Sequence, residues 1–122
     1  MKADGLDLIS GSITSGGDSV NATAWIRLNG QGVVSINDSY NISSVTDLGT
    51  GSYSLNFETN MNNINYNAAG CGHGQSGVAF FGGINPSTYS LGSFTFGVSA
   101  GGGSFSGVYD SDIVNVTIHG GV

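Results

Sequence analysis

The sequence predicts an all-β, antiparallel chain, and three observations carry that prediction. Hydrophobic residues recur with a period of two wherever a period can be read. Helix formers are scarce, and no segment holds apolar residues at i, i+3, i+4 and i+7 over three turns. Turn residues punctuate the chain at short intervals. A period of two marks a strand with one buried face. Many short strands separated by such signals suggest a sandwich or a barrel.

The first strand candidate runs near Leu6–Ile13. In the next, Ala24, Ile26 and Leu28 share one face while Trp25, Arg27 and Asn29 share the other. Asn29-Gly30-Gln31-Gly32 follows and predicts a tight hairpin, because Asn-Gly readily takes positive φ. Strands near Gly32–Ile36 and Tyr40–Asp47 come next, and Asp47-Leu48-Gly49-Thr50-Gly51 turns the chain again. Tyr53, Leu55 and Phe57 then alternate with Ser54, Asn56 and Glu58. Further candidates lie at Tyr66–Cys71 and Val78–Phe81. Asn85-Pro86-Ser87 predicts a turn around the single proline. Phe94, Phe96 and Val98 form one more buried face, and Val114, Val116 and Ile118 the last. The glycine-rich stretches Gly70–Gly83 and Gly97–Gly107 read as long loops or distorted strands.

At 122 residues the chain has room for one domain, 1–122. Gly fills 22 positions, well above the roughly 7 % that is usual, so the core is lean. Two basic residues, Lys2 and Arg27, against a net charge of −6 exclude the cationic footprint of a nucleic-acid binder. They also exclude a basic amphipathic helix at a membrane surface. No apolar run approaches the roughly 18 residues that span a bilayer, so membrane insertion is not expected. The start, Met1-Lys2-Ala3-Asp4-Gly5, lacks a signal peptide's apolar stretch, which predicts synthesis in a cytoplasm. A single cysteine, Cys71, rules out an internal disulfide.

Few motifs carry chemistry. Cys71-Gly72-His73 puts a thiol and an imidazole two residues apart, with Asp110 or Asp112 as orienting groups. The blander reading, a small buried cysteine beside a polar loop histidine, is the one expected, because catalytic dyads are usually assembled from separate elements. Gly72-His73-Gly74-Gln75-Ser76-Gly77 matches G-x-G-x-x-G, yet a strand-like run follows it where a helix is required. Asp110-Ser111-Asp112 begins like a calcium loop, but Val114 stands at the third ligand position. His119 is the one metal candidate, and only if copies met on a three-fold axis; its plain reading is a solvated strand residue. Acids such as Asp18, Asp38 and Asp47 sit in turn contexts, so paired-carboxylate hydrolysis is not expected. The chain is therefore not expected to be an enzyme or to need a cofactor. The N-x-S/T strings at Asn21, Asn37, Asn41 and Asn115 are common by chance in such a sequence.

What remains is surface recognition. Sugar rings have polar edges and an apolar face, which suits an aromatic plate among short hydrogen-bonding side chains. Tyr66, Phe80, Phe81, Tyr89 and Tyr109 flank the glycine-rich stretches and are the candidate plates, though each also reads as core.

The stretch Ala24-Trp25-Ile26-Arg27-Leu28-Asn29-Gly30-Gln31-Gly32 and its continuation from Ile36 through Thr46-Asp47-Leu48-Gly49-Thr50-Gly51-Ser52-Tyr53 to Phe57 carry a pattern, with Met61 and Tyr66 behind it. It resembles a module recurrent in tail-fibre proteins of tailed bacteriophages, over about residues 24–66. Leu28 stands where that module usually has Phe, and Leu55 where it has Val. The resemblance implies a virion structural protein on the particle exterior, homotrimeric, with a jelly-roll-like β-sandwich head. It also implies a scaffold at 24–66 and a variable, loop-bearing part at 67–122, which leaves 1–23 as a strand or attachment segment. Its partners would be its own copies, other virion proteins and host-surface glycan. Because the chain begins at Met1 without a shaft, a stand-alone fibre tip or adaptor is expected; the alternative is a capsid decoration protein without a sugar ligand. Trimerisation also has a physical motive, since a lean domain gains by burying apolar surface and strand edges between copies.

Overall fold

A computed structural model describes residues 14–15, 18–19, 21–72, 82–100, 107–108 and 110–122. Among the described residues, eleven strands run in chain order. Of these, β1 (Thr14–Ser15) and β2 (Asp18–Ser19) pair with each other alone among the described residues. The remaining strands are β3 (Ala24–Asn29), β4 (Ser35–Tyr40), β5 (Ile42–Gly49), β6 (Ser52–Phe57), β7 (Asn67–Gly72), β8 (Gly82–Tyr89), β9 (Ser93–Ala100), β10 (Gly107–Val108) and β11 (Val114–His119). These nine form one sheet in the order β4-β3-β11-β7-β8-β9-β6-β5, with β10 on β9. Every pairing is antiparallel, and no helix occurs among the described residues. The all-β, antiparallel expectation holds, and the single path rolls into a nearly closed, barrel-like sheet. The two ends of the path, β4 and β5, meet at Asn41.

The interior is the set of alternating positions read from the sequence. β3, β6 and β11 each bury every second residue. Ala24, Leu28, Tyr53, Leu55, Phe94, Phe96, Val114 and Ile118 are fully buried. Burying each large side chain contributes about 1.5–3 kcal/mol relative to exposure. At one end of the barrel Tyr66 packs edge-on against Phe57 (5.7 Å, 87°) and Phe94 (6.1 Å, 78°). Phe94 in turn stacks on Phe96 at 5.7 Å and 15°.

Several local expectations are corrected. The β3–β4 hairpin is wider than predicted, since β4 begins at Ser35 and the positive φ belongs to Gly32, not Gly30. Gly30 is needed for space: a Cβ there would collide with the Tyr53 hydroxyl. Its amide donates to Ser111 O at 2.8 Å, while Asn29 Oδ1 accepts from Gln31 N at 2.9 Å. The Asp47–Gly51 turn does form, with Asp47 Oδ1 accepting from Gly49 N at 3.0 Å. Pro86 makes no turn. It lies within β8, opposite Phe96, beside a bulge between Pro86 and Thr88. A proline is tolerated there because, among the described residues, β7 pairs with β8 at Cys71↔Gly83 and Gly72↔Gly82 and does not reach Pro86. The Leu6–Ile13 and Val78–Phe81 candidates lie outside the described residues.

Candidate functional site

Asn41 builds the corner from which the site grows. It has φ 56°, the single positive value among the described non-glycine residues, and Asn tolerates that region better than most side chains. Its Nδ2 donates to Thr23 O (3.2 Å) and Thr59 O (3.1 Å), and its Oδ1 accepts from Thr59 N (2.7 Å). Its carbonyl accepts from Glu58 N at 3.1 Å. One side chain thus ties the β4–β5 corner to the segment after β6 and to the residue before β3.

That segment, Glu58 to Asn62, is anchored along its backbone. Met61 N donates to Leu91 O and Asn62 N to Gly121 O, both at 2.8 Å. Met61 is buried and sits on Gly121, where φ is 76° and a Cβ would lie 3.0 Å from the Met61 sulfur. The polar side chains have the opposite fate. Those of Glu58, Thr59, Asn60 and Asn62 are exposed and make no hydrogen bond to another described residue.

Beside them Tyr40 completes a hollow of about 370 Å³, walled also by Thr23, Gly121 and Val122. That is the small end of ligand-site volumes, ~300–1,000 Å³. Tyr40 is 56 % exposed. Its register partner on β3 is Trp25, which puts both aromatic residues on the outer face of the wall, with Thr117 next on β11. One pair further along that face, Arg27 stands opposite Asp38. Arg27 is the single cationic side chain of Lys or Arg type among the described residues, and Glu58 is the single acidic side chain that lines the hollow. One carboxylate can accept hydroxyl groups, but glycoside hydrolysis requires a pair roughly 5–10 Å apart.

The chain has no match among family models. No curated protein and no solved structure matches it either.

The five aromatic candidates separate. Tyr66 is 4 % exposed, a core residue whose hydroxyl donates toward Ser90 O (2.9 Å) and Ser93 O (3.1 Å) and accepts from Ser90 N (3.1 Å). Burial pushes its pKa up, ahead of the opposing Ser90 hydrogen bond and a smaller contribution from Tyr89. Tyr89 is half-buried, its ring 5.2 Å from Tyr66 and 5.1 Å from Phe94. Phe80, Phe81 and Tyr109 lie outside the described residues, as does His73. The expected buried Cys71 is a correction: the residue is exposed on β7, opposite Asn115 on one side and Gly83 on the other. Asp110 holds loops together. Its Oδ1 accepts from Gly51 N (2.7 Å) and from the Tyr53 hydroxyl (3.1 Å). His119 is exposed at the end of β11, opposite Asn67. Among the described residues, no three His, Cys, Asp or Glu side chains gather as a metal site, and no helix is long and apolar enough to cross a membrane.

Trp25, Tyr40 and the Glu58–Asn62 side chains were not among the sequence candidates. The signal for Trp25 was present: it occupies the polar face of an alternating strand. A large aromatic there is a better pointer to recognition than an aromatic in an apolar row.

Proposed function

We propose that this chain is a bacteriophage virion structural protein, the head of a tail fibre, that adheres to host surface polysaccharide. In this reading it assembles as a homotrimer of jelly-roll-like β-sandwiches displayed on the particle exterior. The observation that carries the reading is the outward aromatic pair Trp25 and Tyr40, set beside unengaged Asn, Thr and Glu side chains on an anchored backbone. Rigid aromatic faces and short polar groups are the chemistry that sugar recognition needs. The pair lies inside residues 24–66, the span that the resemblance marks as scaffold, so the recognition face rests on these side chains and not on the resemblance. Three weak sites on one axis would hold a repetitive polymer by avidity, without high affinity at any one of them. The chain acts by holding and catalyses nothing.

Two measurements test this. Purified protein should bind an array of bacterial surface polysaccharides without releasing reducing ends. Antibody labelling of virions should mark the tail tips. Label spread over the capsid would replace the fibre head with a decoration protein, for which the exposed Val33 and Leu48 offer apolar anchors.

A further inference from the structure

We infer that the hollow beside Tyr40 takes one uncharged sugar residue and turns acidic sugars away. This deepens the adhesion reading and rests on it. Three observations argue the site.

The first is the division of labour within Glu58–Asn62. Four of its backbone amides are tied down, to Asn41, Leu91 and Gly121, while four of its side chains are left without a described partner. A polar edge presented on a fixed backbone loses little freedom when a ligand arrives. Tyr40 stands at the side of that edge and offers a ring to the apolar face of a pyranose. Met61, buried, also lines the hollow and adds apolar surface beside that polar edge.

The second is the size. About 370 Å³ suits a compact ligand, and the outer face running from Tyr40 to Trp25 and Thr117 gives a polymer somewhere to continue.

The third is the charge. Glu58 is the sole ionised side chain on the lining, and the cation Arg27 lies further along β3, opposite Asp38. A carboxylate accepts hydrogen bonds from sugar hydroxyls, yet it repels a uronate or a sialic acid. The net charge of −6 adds to that repulsion at low salt.

The chain's single tryptophan, Trp25, is the register neighbour of Tyr40 and serves as a local reporter. The test titrates its fluorescence with methyl glycosides of neutral hexoses and N-acetylhexosamines. Matched uronic acids and sialic acid are run beside them, and polysaccharide retention is measured on the same protein. Tyr40 and Glu58 are both exposed, so Tyr40→Ala and Glu58→Gln should fold as the parent does, as circular dichroism will verify. At least one neutral glycoside should titrate, its acidic counterpart should bind more weakly, and Tyr40→Ala should lose about tenfold in affinity. Glu58→Gln should narrow the gap between neutral and acidic sugars. Polysaccharide retention that survives Tyr40→Ala unchanged, or an acidic sugar bound as well as its neutral counterpart, overturns the assignment and leaves adhesion standing. Loss of all polysaccharide binding by the parent protein removes the adhesion reading, and the site with it.

Discussion

Tyr53 shows how a single residue couples the core to the loops. Its ring is fully buried and lies 5.8 Å from Phe96, while its hydroxyl reaches Asp110 and, at 3.4 Å, the carbonyl of Gly30. Burial raises its pKa well above the usual tyrosine value, helped by the negative charge of Asp110 and by the hydrogen bond to it. A phenol whose pKa is raised on folding contributes stability that is complete below the unfolded value, near 10, and is lost as pH climbs above it. Stability should therefore be flat on this account through neutral pH and fall above about pH 10, by about 1.4 kcal/mol per pH unit for each such tyrosine. Urea unfolding at stepped pH checks this, and Tyr53→Phe should make the alkaline slope shallower while costing about 1 kcal/mol at pH 7. Asn41 carries a different load. Replacing it with Ala removes three side-chain hydrogen bonds and puts a poorly suited residue at φ 56°, a loss of roughly 2–4 kcal/mol. Asn41→Gly keeps the backbone freedom and loses only the bonds, so its thermal midpoint should fall between those of the parent and the alanine variant.

At the scale of strands, legibility follows burial. β3, β6, β9 and β11 bury alternate residues, and each of their core positions could be read directly from hydrophobic alternation. β4 and β5 are exposed along most of their length, so their limits carry little hydrophobic signal. The break between them depends on Asn41, whose role is made by partners far along the chain. β8 was hidden by composition, because Gly82, Gly83 and Pro86 spell a loop; pairing with β9 along its length and with β7 at two positions makes it a strand. The hollow escaped for a related reason. Glu58–Asn62 takes its shape from Asn41, Leu91 and Gly121, contacts that no local pattern announces. The β7–β8 seam has two register pairs among the described residues, fewer than any other junction in the sheet path, and invites a covalent test. Cys71 faces Gly83 across it, and a Cβ on Gly83 would meet nothing within 4 Å. Directly opposed strand residues lie within disulfide range. Gly83→Cys should therefore oxidise with Cys71, consuming both of the variant's thiols. The bond should raise the thermal midpoint by the equivalent of roughly 3 kcal/mol, and reductant should reverse the gain.

For the whole molecule the decisive quantity is mass in solution. The proposed trimer sets two opposing terms against each other. In its favour are strand edges at β4 and β5 that end the sheet path, and apolar side chains such as Val33, 92 % exposed, at the hairpin end of the barrel. Burying either kind of surface between copies lowers free energy and guards against uncontrolled edge pairing. Against it stands charge, since each protomer brings −6 and the described residues hold one cation of Lys or Arg type to offset it. Like charges repel over a Debye length that shrinks from about 30 Å at 0.01 M salt to about 8 Å at 0.15 M. Association should therefore tighten as salt rises, the reverse of an assembly held by ion pairs. Light scattering should give about three times the 12.3 kDa protomer mass at physiological salt, with dissociation on dilution into low salt. Val33→Asp combined with Leu48→Asp, the first in the β3–β4 loop and the second exposed near the end of β5, should shift the balance to protomers without unfolding the barrel. A protomer mass at every salt and protein concentration would end the trimer, and the sugar hollow would then have to act one copy at a time, without avidity.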